Sequence, residues 1–204
     1  PTLYELKAPS SPTVDTFNAI SNWNAFTQLS DENFTAQAND YLDKQNAIDF
    51  MLFAEFVKCR DVVSQNSAKN FQFISYNGKK FMFMPYDMDT VFGLEWTGAV
   101  VYDDTTGSQL VWNSSGSFWR KVKVAYNTDV EARYKQLRDL KIISVENIYN
   151  LSTDLSLKYS KDVYDLELAR WPVRPSLNIT SLEQILTWTK KRIAFLDTYF
   201  NYTA

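Results

Sequence analysis

Two aromatic runs that alternate with period two, FQFIS and KKFMFMPY, meet at Tyr76-Asn77-Gly78 in a chain whose other apolar residues recur every three or four positions. Asn-Gly between alternating runs is the strongest short-range signal for a β-hairpin. The surrounding spacing of three and four describes amphipathic helices. A hairpin over about residues 70–86 set among helices restricts the fold to a predominantly helical α+β class. Nothing alternates in the strand-helix-strand manner that builds a parallel sheet.

The helical reading runs along both flanks. Residues 1–12 read as the end of a strand, LYEL, entering a Pro/Ser turn. Val14, Phe17, Ile20, Trp23 and Phe26 mark a first amphipathic helix over 13–28. Ser30 offers an N-cap for a second over 31–43. A third, over 45–59, is apolar on most faces and belongs in the middle of a domain. Residues 93–116 carry four glycines and few periodic positions, which reads as a long loop or lid. Helical periodicity returns over 117–200 in FWRKVKVAY, in VEARYKQLRDL and in SVENIYNLSTDLSLKYSKDVYDLELAR. The prolines at 172 and 175 interrupt it before the closing SLEQILTWTKKRIAFLDTYF. Trp96, Trp112 and Trp119 near the loop look exposed and could serve a partner or a sugar, though core packing is the default for tryptophan. With 204 residues, of which 45% are hydrophobic, 1–204 is large enough for a single domain with its own core.

Composition removes several functions. The chain has no histidine, which excludes a Ser-His-Asp triad, a Cys-His dyad and histidine metal ligation. Acid-base work falls to carboxylates, Lys or Tyr, and any metal ligands are oxygens, which suits Mg²⁺ or Mn²⁺. Cys59 is the single cysteine, so neither an internal disulfide nor a multi-cysteine metal site can form, and a buried place in the third helix is expected. Five scattered glycines form no phosphate-cradling loop. A net charge of -3 argues against nucleic acid as a partner. No apolar run approaches the roughly 18 to 20 residues of a membrane span. The chain opens on Pro1 with no leader pattern and reads as an excised piece of a longer polypeptide.

Asp87 and Asp89 follow the second alternating run in MPYDMDTVFG. If the extended backbone persists they project from one side, roughly 6 to 7 Å apart at Cα. Two carboxylates at that spacing repel unless a divalent cation lies between them, and such a cation can also bridge phosphates. The alternative is a solvated turn in which the aspartates cap the following backbone. Upstream, Asp61 follows the apolar helix in CRDVVSQNSAKNF and can accept a proton from a substrate hydroxyl, or serve only as a loop residue. Asn70 can offer an amide oxygen to a metal, or hydrogen-bond its own turn. The order acid, amide, hairpin, DxD follows the logic of kinase phosphoryl transfer.

AIDFMLFAEFVKCRD, AKNFQFI and GKKFMFMPYDMDTVFG together resemble the spore coat protein H (CotH) kinase family, which carries an Asp, then a KN-aromatic-x-aromatic hairpin ending in (W/Y)D-x-D and FG. LVWN at 110–113, Arg133-Tyr134 with Leu137-Arg138, Arg170-Trp171 and TWTKKRIAFLDTYF also look like that family's C-terminal region. The resemblance implies an atypical kinase-like C-lobe and ATP- and Mg²⁺- or Mn²⁺-dependent phosphorylation of protein Ser or Thr. It would make Asp61 the catalytic aspartate, Asn70 the metal-proximal asparagine, and Asp87 with Asp89 the metal-binding pair. Asn66 has the spacing of ordinary kinases, but Asn70 carries the family's KN context. The phosphate-contacting lysine belongs to an N-terminal nucleotide lobe that this chain mostly lacks, and Lys7 is the remaining candidate for it. Two alternatives stay open. One is a non-catalytic structural or adhesion module of a phage tail, spore coat or cell surface. The other is a nucleotide-sugar transferase, against which the Asn-Gly hairpin and its helical surroundings speak.

Overall fold

The computed structural model describes residues 6–59, 62, 71–88, 91–94, 105–106, 110, 112–113, 118–171 and 182–203. Helices α1 (Val14–Thr27), α2 (Asp31–Tyr41) and α3 (Lys44–Val57) precede strands β1 (Phe71–Ile74) and β2 (Met82–Pro85). Then follow α4 (Phe118–Ala125), α5 (Asn127–Asp139), α6 (Val145–Lys158), α7 (Lys161–Arg170) and α8 (Leu182–Tyr199). The protein is therefore predominantly helical α+β with a small antiparallel sheet. No helix among the described residues is long and apolar enough to cross a membrane.

Local chemistry sets the first three helix starts. Thr13 and Thr16 form a reciprocal capping box on α1, Ser30 accepts from the Asn33 amide at the head of α2, and Asp43 accepts from the Asn46 amide at the head of α3. The expected first helix forms, but Val14 and Phe17 are 74% and 55% exposed. Only its last two turns, through Trp23 and Phe26, meet the core. The strand expected at LYEL lies mostly outside the described residues, and Leu6 and Lys7 are not in a strand. The long helix expected over SVEN to LAR divides at Tyr159-Ser160 into α6 and α7. Ser160 takes an extended N-cap conformation there, with Asp162 in the following turn, where the helix dipole favours a negative charge.

The hairpin's register places its aromatics. Phe71 pairs with Pro85, Gln72 with Met84, Phe73 with Phe83 and Ile74 with Met82. Residues 75–81 connect the strands, so the turn is wider than a two-residue Asn-Gly loop. The Asn77 side chain accepts from the Lys79 and Lys80 amides at 3.0 and 2.9 Å, and Gly78 takes φ 68. A two-residue loop would shift the pairing by one and set Phe73 opposite Met82. In the observed register Phe73 and Phe83 share one face, and that face enters the core. Trp23 lies 5.3 Å from Phe73 and 4.7 Å from Phe81, and Trp119 lies 5.1 Å from Phe83 and 5.4 Å from Phe50, centroid to centroid. Trp112 and Trp119 therefore take the default place of tryptophan, in the core, and not the exposed partner-binding one. They are 4% and 2% exposed: Trp119 covers the sheet against Phe71 and Phe83, while Trp112 packs on Tyr199 and Phe200 and donates to the Tyr199 hydroxyl. Trp96 lies outside the described residues.

A lone hairpin is marginal in water, and here the free edge of β2 is covered. Asn46 donates to the Phe83 carbonyl at 3.1 Å and accepts from the Phe83 amide at 2.6 Å, while Phe81 exchanges backbone bonds with Tyr41 and Asp43. Asn46 stands in the first turn of α3, the hub of the molecule, which packs against β2, α4, α5 and α8. Bidentate ion pairs join the helices: Arg120 with Asp31, Arg133 with Asp49, and Arg138 with Asp197, whose carboxylate also accepts from Tyr134. Cys59 is fully buried just past the end of α3, as its expected role in the core requires.

Candidate functional site

Strand β2 delivers Asp87. It ends at Pro85, and the extended backbone assumed for the DxD stretch stops at Asp87, which takes φ 55 with an exposed side chain. Aspartate is among the few non-glycine residues that enter this left-handed region readily. Asp89 lies outside the described residues, as do Asp61, Asn66 and Asn70. Lys7 is described and exposed, ahead of α1. Among the described residues no group of three Asp, Glu, His or Cys side chains stands close enough to hold a metal ion.

The described neighbours show which chain segments converge. Phe71 and Pro85 are register partners, so the segment entering β1 from Asn70 and the segment leaving β2 towards Asp87 adjoin the same end of the hairpin. Beyond Asp87, Val91–Leu94 form a tight turn closed by the Leu94 amide on the Val91 carbonyl at 3.0 Å. Its two central residues, Phe92 and Gly93, have φ 53 and 83, the pattern of a type I′ turn, and the second of these positions explains the glycine. The Phe92 amide donates to the Val57 carbonyl at 2.9 Å, which fastens this turn to the last residue of α3. α3 ends because Lys58 turns left-handed at φ 50, and the chain continues through buried Cys59 towards Asp61, with buried Val62 just beyond.

Helix α8 closes this corner from the other side. Gln184 donates to the Phe92 carbonyl at 3.0 Å, and Trp188 meets the Phe92 ring edge-on with centroids 5.8 Å apart. One turn further, fully buried Arg192 pairs with the Glu55 carboxylate, donates to the Glu55 backbone carbonyl and reaches the Thr105 carbonyl at 3.0 Å. The segment expected to be a loop or lid is therefore pinned at Thr105 and packed through Leu110 and Trp112. Sequence reading missed Gln184, Arg192 and Glu55. Glu55 left a trace as the one carboxylate in the run LFAEFV, where an unpaired charge has no place in a core. Gln184 left none.

A protein-family model described as CotH kinase protein matches residues 4–196, most of the chain. No curated protein matches, and no solved structure matches.

Proposed function

The chain belongs to the CotH kinase family, and from that premise we propose that it carries out metal-dependent transfer of the γ-phosphoryl group of ATP to Ser or Thr of a protein. The convergence of three segments at one corner supports this reading: the end of α3 leading to Asp61, the entry to β1 after Asn70, and the exit from β2 at Asp87, tied together by the Phe71–Pro85 pairing and the Phe92–Val57 bond.

The candidate donors, Asp87, Asp89 and Asn70, are oxygen donors throughout, a set that fits Mg²⁺ or Mn²⁺ and disfavours soft metals. Such an ion would neutralise charge on the nucleotide phosphates. Exposure of Asp87 leaves its carboxylate accessible to a ligand from solution. Asp61 has the protein's own chemical task in this scheme: its carboxylate accepts a hydrogen bond from the acceptor hydroxyl, orients it towards the phosphorus and takes its proton as the new P–O bond forms and the bond from the γ-phosphorus to the β,γ-bridging oxygen breaks, releasing ADP. Kinase catalysis of this kind rests on position and charge, so the bonds that fix the corner matter as much as the carboxylates.

The test is transfer of radiolabelled γ-phosphate by the full-length protein. Asp61→Ala and Asp87→Ala should each lower the rate by about 100-fold or more while leaving the circular dichroism spectrum unchanged. Full transfer in either variant overturns that residue's role. No transfer and no ATP binding in the wild type favours the alternative, a structural or adhesion module that keeps the family fold without catalysis.

A further inference from the structure

Helix α7 carries apolar side chains that no described residue covers. Every described side chain along its ten residues is exposed, Leu166 at 71% and Val163 at 48%, and Trp171 at its C-cap is 58% exposed. A single exposed leucine is ordinary, but this one sits in a patterned row. Residues four apart lie one above another on a helix, so Asp162, Leu166 and Arg170 form one row, with the leucine at its midpoint and Val163 beside it. Lys161 and Asp165, on a neighbouring row, pair with each other. Asp162 and Arg170 make no ion pair among the described residues, and Arg170 rests over the Trp171 ring, 5.8 Å from its centroid.

An acid at the start of a helix and a base at its end suit the helix dipole by themselves. The dipole gives no reason for a bare apolar face between them. A row that reads acid, leucine, base is complementary to itself when reversed. About a two-fold axis through Leu166, an antiparallel copy sets Leu166 against Leu166 and each Asp162 against the opposite Arg170, the two ion pairs about 12 Å apart along the helix. A parallel copy would set like charges together. The same axis carries each Trp171 towards the opposite Tyr159, itself exposed just ahead of α7. A lipid surface fits less well, because α7 holds three acids against two bases and anionic headgroups ask for a basic face.

We propose that α7 is the contact surface for a second copy of this chain, an isologous antiparallel pair centred on Leu166. The pairing is independent of the phosphotransfer reading. Two helices of this length cover less than the roughly 800 Å² per partner of a standard interface, so the dimer forms and dissociates with concentration.

Sedimentation velocity of the full-length protein over about a hundredfold range of concentration reads the association. The expected wild-type result is a shift from monomer towards twice that mass, with no flotation on phosphatidylcholine–phosphatidylserine vesicles. Leu166→Glu should abolish the shift, and Arg170→Asp, which sets acid against acid twice, should weaken association by about tenfold or more. Asp162→Arg/Arg170→Asp should restore most of it, because both pairs reform with their signs exchanged. These positions are exposed, so the circular dichroism spectrum should not change. A wild type that is monomeric at every concentration overturns the proposal, and flotation of that monomer with the vesicles assigns the row to a lipid surface instead. Dimers that survive Leu166→Glu overturn the site. A double variant that associates no more tightly than Arg170→Asp overturns the antiparallel register.

Discussion

Replacing Arg192 by Met should destabilise the protein more than almost any other single change. Arg192 is 0% exposed and Glu55 1%, so the substitution leaves a carboxylate in the interior without its guanidinium. Removing one partner of a buried pair typically costs about 3–5 kcal/mol. The guanidinium also serves the Glu55 backbone carbonyl at 2.9 Å and the Thr105 carbonyl at 3.0 Å. Loss of these bonds adds to that cost, although the Glu55 carbonyl keeps the Lys58 amide at 3.3 Å. The summed effect is at least about 4 kcal/mol, a large part of the roughly 5–15 kcal/mol that holds a domain folded. Urea unfolding followed by tryptophan fluorescence measures it as a fall in midpoint at constant slope. Arg192→Lys, which keeps the charge and loses the planar fork, gives an intermediate value and remains measurable if the Met variant does not fold. The double variant Glu55→Gln/Arg192→Met removes both charges and should be more stable than Arg192→Met alone, with a coupling of about 1–3 kcal/mol. A single Met variant within about 1 kcal/mol of wild type, or strictly additive effects in the double, refutes the reasoning.

Trp119→Ala should cost about 3–5 kcal/mol, because the indole closes the aromatic face of the hairpin against Phe50 and Phe83; Phe17→Ala, at an exposed position of α1, should stay within about 0.5 kcal/mol, both by denaturant unfolding. Burial, with the charges of Asp129 and Asp43 second, pushes the Tyr126 hydroxyl from its ordinary 10.0 up to about 12. The folded state favours the protonated phenol, so its contribution is complete below pH 10 and is lost as pH rises towards about 12. Ultraviolet absorbance of tyrosinate on alkaline titration should show a late step that Tyr126→Phe removes.

Local signals in the sequence carried much of the fold. Ser30 is an N-cap because its hydroxyl meets the Asn33 amide, a bond within one helical turn that composition can reveal. The Asn-Gly hairpin and the buried third helix are legible for the same reason, since each is set by residues near one another. The register was not, because it depends on which faces the phenylalanines must share to meet Trp23 and Trp119, and these come from distant helices. Division of the long helix at Ser160 competed with an unbroken apolar periodicity that the chain does not bury: Leu151, Leu155 and Leu166 remain exposed. At the candidate site the order of Asp61, Asn70, Asp87 and Asp89 was readable as a motif, and of these Asp87 alone lies among the described residues. The bonds that hold the corner were not readable. Gln184 reaches Phe92 across 92 residues and Arg192 reaches Glu55 across 137, and neither residue type announces a structural role by spacing alone.

The most direct test is a crystal structure of the full-length protein with Mn²⁺ and a non-hydrolysable ATP analogue, read by anomalous scattering. The account predicts a Mn²⁺ peak bound by oxygens of Asp87 and Asp89, at about 2.0–2.2 Å as small octahedral cations require, with the γ-phosphate on its far side facing Asp61. A nucleotide bound elsewhere, or a Mn²⁺ peak away from both aspartates, contradicts it.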